Sequence, residues 1–286
     1  MKIVRYNAGG RPTLGQVVGD RIHPLTGFAD LQTLIAQWPG GLDREQPAQE
    51  GGIAIGEAVL LAPIVPIRNV FCVGWNYLSH FNESIGKRGQ HEVELPDRPT
   101  FFTKLPTTVV GPYDDVPLHQ ACTERLDWEV ELAVIIGKGG RDIKEAEAAR
   151  HVFGYTVAND ISARDLQRSH GGQWFKGKSL DATCPLGPMV ITADELDDPQ
   201  NLSIWCKVNG QTMQDSHTRR QIFSVSRVIA ELSAGLTLLP GDVILTGTPE
   251  GIGNARTPPV YLEEGDVVEC GVEGIGILRN TVRADL

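Results

Sequence analysis

From Trp128 to Ile135 the chain alternates with period two: Trp128, Val130, Leu132 and Val134 fall on one side of an extended backbone, and Glu129, Glu131, Ala133 and Ile135 on the other. This predicts a β-strand carrying two acids on one face. Taken alone, the pattern also fits the wet face of an edge strand. The apolar Ala133 and Ile135 that continue the glutamate side point instead to a pocket. Phe153-Gly154-Tyr155-Thr156-Val157-Ala158 predicts a second buried strand, ending in Asn159-Asp160. Ser162-Ala163-Arg164-Asp165 has the form of a capping box with Ser162 as the N-cap of a short helix, which would relieve Asp160 of capping.

Elsewhere the pattern predicts short strands at KIVRYN and GQVVGDRIHPL, and a helix at DLQTLIAQW closed by Pro39-Gly40-Gly41. NLSIWCKVNGQTMQDS reads as a hairpin turning at Asn209-Gly210. Ile222, Phe223, Val225, Val228, Ile229 and Leu232 have helical spacing up to Gly235, a C′ glycine. A strand centred on NVFCVG leads into a short helix containing His80 and Glu83, and another strand surrounds Lys104. The charged stretch from Ser84 to Arg98 lacks periodicity and reads as a mobile, lid-like loop. A polar run at residues 47–56 and the proline-bearing Leu60–Pro66 connector put a domain boundary near residue 63. The prediction is a predominantly β α+β protein, with a small β-rich N-terminal domain over residues 1–62 and a larger one over 63–286.

With 41% hydrophobic and 22% charged residues, the composition is that of an ordinary globular protein. A formal net charge of −10 without any basic run argues against nucleic acid as a partner. The five cysteines form no CxxC pair, so neither a disulfide framework nor a structural zinc site is indicated, and a reducing cytoplasm is the expected compartment. No run of 18 apolar residues suggests a membrane span.

Glu129, Glu131 and Asp160, with no cysteine or metal-spaced histidine near them in sequence, suit a hard divalent cation: Mg²⁺, Mn²⁺ or Ca²⁺. His80 and Glu83, three apart on a helix, have the spacing of a general base with a carboxylate to orient its ring, although the same spacing describes an ordinary solvated pair. Lys178 is a candidate for stabilising a developing oxyanion, and Lys104 stands in an apolar strand where a charge requires a partner. The glycine-rich Gly247-Thr248-Pro249-Glu250-Gly251-Ile252-Gly253 lacks the lysine of a phosphate loop, and neither GxSxG nor HExxH occurs.

From about Asn69 onward the chain resembles the fumarylacetoacetate hydrolase superfamily. The resemblance rests on Gly74-Trp75-Asn76-Tyr77-Leu78-Ser79-His80, Phe102-Thr103-Lys104-Leu105-Pro106, Glu129-Val130-Glu131-Leu132, the Asn159–Gln167 block, Lys178-Ser179, Cys184-Pro185 and the Leu245–Gly253 block. It implies a mixed β-sandwich roll, a homodimer, and Mg²⁺ or Mn²⁺ held by Glu129, Glu131 and Asp160. It further implies a lid dyad of His80 and Glu83, Lys178 beside the substrate oxygen, and Lys104, Arg164, Gln167 and Thr248 around the ketoacid end. Trp75 departs from the arginine or leucine common there. The implied activity is metal-dependent hydrolysis of a C–C bond in an anionic 2,4-diketo acid of the acylpyruvate type. Oxaloacetate decarboxylation, keto–enol isomerisation or hydration would suit the same site. A β-rich binding module using a cation structurally is the alternative from another class.

Overall fold

A computed structural model describes residues 1–38, 52–86 and 94–284. The Pro39-Gly40-Gly41 stop, most of the polar run before residue 56 and the middle of the expected lid loop lie outside these residues. Among them, no helix is long and apolar enough to cross a membrane.

The alternating run becomes the strand Val130–Ile136, whose seven residues are all buried. It is central rather than marginal, lying between the antiparallel strands Val152–Asn159 and Val243–Leu245. In the large mixed sheet the order continues through Cys184–Thr192 to the N-terminal strands Lys2–Ala8, Arg11–Val18 and Arg21–Pro24 on one side, and through Val70–Gly74 to Thr100–Lys104 on the other. The N-terminal strands thus extend the same sheet, through pairing of Lys2–Ala8 with Cys184–Thr192.

Because a strand alternates its faces, each side of Val130–Ile136 feeds a different core. Val130, Leu132, Val134 and Ile136 pack with Ile204, Cys206, Val268 and Leu278 of a second sheet and with Val228 and Ile229 of the helix Val225–Ser233. Ala133 and Ile135 pack with Ile3, Leu14 and the helix Leu31–Gln37, which is capped by Asp30 and buries Leu31, Leu34 and Ile35. The second sheet contains Gln211–His217, Ser203–Val208, Val267–Val272, Gly276–Arg283 and Val116–Pro117. Its hairpin turns where expected, with Asn209 and Gly210 both at positive φ (51° and 77°), as a type I′ turn requires.

Two local expectations are corrected. The helix expected from Ile222 starts at Val225 behind the N-cap Ser224, while Gly235 takes the expected left-handed conformation at φ 74°. Ser162 is not an N-cap: Ser162–Ala163 pairs with Leu126–Asp127 as a short antiparallel ribbon, and this extended backbone displaces the capping box. The Ser162 hydroxyl donates to the Asp160 carbonyl at 2.9 Å, and Asp165 caps the helix Leu166–Ser169 through the Leu166 N–H.

Asn76 fastens three segments at the end of Val70–Gly74. Its buried amide donates to the carbonyls of Thr246 (2.8 Å) and Phe223 (3.0 Å) and accepts from the Phe223 N–H (2.8 Å). Asn76→Ala strands these groups, each costing on the order of 1–3 kcal/mol when left buried and unpaired. It is therefore expected to lower the melting temperature by several degrees in calorimetry. An unchanged melting temperature would refute this fastening role.

Candidate functional site

Register brings the acids together. Val130 stands opposite Asn159, and the Asp160 N–H donates to the Glu129 carbonyl at 2.8 Å, so Glu129 and Asp160 flank the same end of the strand pair. Glu131 follows two residues along the same face, its carboxylate accepting the N–H of Gly247, whose φ of 98° turns the chain there. Oxygen atoms from Glu129, Glu131 and Asp160 lie within 4.8 Å of one another, and the three residues are 4%, 1% and 0% exposed. Acids packed this closely out of water require counter-charge.

Three cations supply most of it. Lys178 Nζ lies 2.8 Å from Glu129 Oε2 and 2.7 Å from Asp160 Oδ2. Lys104 Nζ is 2.8 Å from Asp160 Oδ1, and donates to the Ile161 carbonyl at 3.0 Å. Arg164 joins Glu129 Oε1 (2.6 Å) to Asp127 Oδ2 (2.8 Å) and donates to Gln167 Oε1 at 3.2 Å. Asp127 is anchored in turn by the N–H groups of Trp128, Gly253 and Asn254.

Four buried carboxylates thus meet three buried cations. Among the described residues, none of these cations forms an ion pair with Glu131. Burial, reinforced by the charges of Asp160 and Glu129, pushes the Glu131 pKa well above the usual carboxylate range. Burial would also raise Glu129, but Lys178, Arg164 and His80 override it and lower its pKa to about 2. Lys178 would be lowered by burial, yet Asp160 and Glu129 raise it. An all-oxygen donor set with one uncompensated carboxylate fits a hard divalent cation.

His80 and Glu83 lie on the helix Leu78–Glu83, with His80 Nδ1 2.8 Å from Glu83 Oε1. The other Glu83 oxygen accepts the Gly251 N–H at 2.8 Å, which fixes the carboxylate behind the ring. His80, Glu129, Glu131, Arg164, Gln167, Lys178 and Thr248 all line one cavity of about 40 Å³. Thr248 is tied down, donating to the Val130 carbonyl at 2.9 Å and accepting from Gln214 at 2.8 Å.

The remaining site residues stand one layer back. Lys104, expected around the ketoacid end, is fully buried against Asp160; neither of the two lines the cavity, and Glu83 stands behind His80 without lining it. Asp127 was not singled out by sequence reasoning, although an acid two residues before Glu129 continues the same alternation. Trp174, which lines the cavity with Trp75 and Phe102, offers no comparable periodic signal.

Two outcomes are expected. Lys104→Met removes one of the two buried cations paired with Asp160, leaving Lys178 alone, and should destabilise the metal-free fold by about 3–5 kcal/mol in chemical denaturation; a raised KM with unaltered stability would mark a direct substrate contact instead. Because Glu131 keeps its proton to higher pH than an ordinary carboxylate, a cation must displace that proton. Mn²⁺ affinity should therefore rise as pH rises toward the raised Glu131 value, with proton release accompanying binding below it. Calorimetry in buffers of different ionisation enthalpy reads this, and zero release would contradict it.

The family description "Fumarylacetoacetate (FAA) hydrolase C-terminal" matches residues 69–283, and "Rv2993c-like, N-terminal" matches residues 1–63. The human protein named "Oxaloacetate tautomerase FAHD2B, mitochondrial" is 48% identical over 227 residues, covering 79% of this chain and 70% of that protein. "Oxaloacetate tautomerase YisK" of Bacillus subtilis (strain 168) is 42% identical over 252 residues, 87% of this chain and 80% of its own. The solved structure "Fumarylacetoacetate hydrolase (EaFAH) from psychrophilic Exiguobacterium antarcticum" superposes with a TM-score of 0.89 at 39% identity over the whole of both chains. With the family description matching most of its length and relatives this similar, the chain belongs to the fumarylacetoacetate hydrolase family.

Proposed function

We propose that this chain is a divalent-metal-dependent enzyme interconverting the keto and enol forms of a short 2-oxo acid of the oxaloacetate type. The observation that carries the reading is the cavity lined together by Glu129, Glu131, Lys178 and His80, with Asp160 bonded to Lys178 and Glu83 to His80 behind them. The relatives named as oxaloacetate tautomerases support the choice of substrate.

Bound by Glu129, Glu131 and Asp160, Mg²⁺ or Mn²⁺ would supply Lewis-acid polarisation of the 2-oxo group. His80 carries the proton step at C3. Glu83 engages Nδ1 and leaves Nε2 as the ring nitrogen that accepts or returns the proton. Lys178 has three N–H donors, two directed at Glu129 and Asp160, and offers the third to the enolate oxygen. Arg164 and Gln167 position the carboxylate end, and Lys104 pairs with Asp160 from behind.

A second reading is hydrolysis of an acylpyruvate C–C bond, favoured by the braced His80–Glu83 pair, which could equally deprotonate a water molecule. Spectrophotometric enol-to-keto conversion of oxaloacetate and cleavage of acetylpyruvate separate the two. Tautomerisation should be lost on chelation, return with Mg²⁺ or Mn²⁺, and fall about 10²–10⁴-fold in His80→Ala. Turnover indifferent to the chelator would sink the proposal; rapid acetylpyruvate cleavage without oxaloacetate turnover would favour the second reading.

A further inference from the structure

Trp75 lines the site cavity in a conformation that its own side chain disfavours. Its φ is 52°, in the left-handed region, where a bulky residue is rare and must be held by its surroundings. The surroundings are other aromatic rings. Trp75 meets Trp174 edge-on at 4.6 Å and Phe81, the neighbour of His80, at 6.0 Å. Trp174 meets Phe102 at 5.2 Å, and Phe102 lies 4.9 Å below the Lys178 ammonium. Gly74 completes the fit, since a Cβ there would fall 2.5 Å from the Trp174 ring. An aromatic wall therefore runs from the helix bearing His80 to Lys178, and Trp75, Trp174 and Phe102 all face the cavity.

Arg164, Gln167 and Thr248, part of a polar lining that also includes Ser84, Arg168 and Asn254, stand beside the carboxylate cluster. A substrate held there by its 2-oxo carboxylate shares the cavity with the indoles of Trp75 and Trp174, which bound the room for its remaining carbons. These packed rings leave little room in a cavity of about 40 Å³. We infer that Trp75 is a specificity-determining residue whose indole limits the chain length of the 2-oxo acid beyond C3, so that four-carbon diacids fit and longer homologues do not. This deepens the proposed tautomerase reading and rests on it.

The test is C3 hydrogen–deuterium exchange, followed by NMR with the Mn²⁺- or Mg²⁺-loaded enzyme, for oxaloacetate, 2-oxoglutarate and 2-oxoadipate. Calorimetric binding of the same acids reads the wall independently of turnover. In the wild type, exchange and affinity should fall with each added methylene, by about tenfold or more. Trp75→Leu shortens the side chain, and Trp75→Asn also tolerates the left-handed backbone, so at least one folded variant is secured. Either should raise the 2-oxoadipate to oxaloacetate ratio about tenfold or more in both measurements, while oxaloacetate itself weakens. A structural role for Trp75 would depress all three acids in parallel, and an unchanged ratio in a folded variant overturns the inference. Wild-type protein that exchanges none of the acids would overturn the tautomerase reading instead, leaving the binding ratio to decide the role of Trp75.

Discussion

The antiparallel pairing of Val130–Ile136 with Val152–Asn159 is the constraint on which the site depends. It places the Glu129 and Asp160 backbones in direct hydrogen-bond contact and buries their side chains with that of Glu131. Such a cluster survives out of water only with cations packed against it. Lys104, Lys178 and Arg164 come from three separate parts of the chain to do this, so folding the sheet and assembling the charge balance are one event. The excess carboxylate, Glu131, gives the site its capacity for a divalent cation.

The same economy of position governs the surrounding loops. Gly247 and Gly251, both at positive φ, aim backbone N–H groups at Glu131 and Glu83, so one turn orients a candidate metal ligand and the carboxylate behind His80. At Gly251 a side chain would collide with the Met213 carbonyl at 2.0 Å, which ties this turn to the second sheet. Gln214 continues the link by bonding both the Val130 backbone and Thr248. The two sheets therefore share responsibility for the site, although Glu129, Glu131 and Asp160 all sit at one end of a single strand pair.

How far the site could be read from sequence depended on how local each signal was. The Glu129–Glu131 face was legible because alternation is a local property and Ala133 and Ile135 declared that face buried. His80 and Glu83 were legible because one helical turn makes them neighbours. The Ser162 expectation failed because an equally local capping signal lost to pairing with Leu126–Asp127, which only the folded chain brings alongside. Lys104 was legible as a charge needing a partner; its place behind Asp160, away from the cavity, was not.

By itself, then, the sequence determined the strand-rich character, the Asn209-Gly210 hairpin, the acidic strand face, the histidine dyad and, through its motif blocks, the family. These follow from side-chain periodicity, turn chemistry and motif spacing, which act over a few residues. Tertiary structure decided that the acidic strand is central, that three distant cations balance four acids with Glu131 left over, and that Trp75 and Trp174 form one wall. Those outcomes depend on sheet order and on packing between residues about 20 to 170 positions apart, and such contacts leave no periodic trace in the chain.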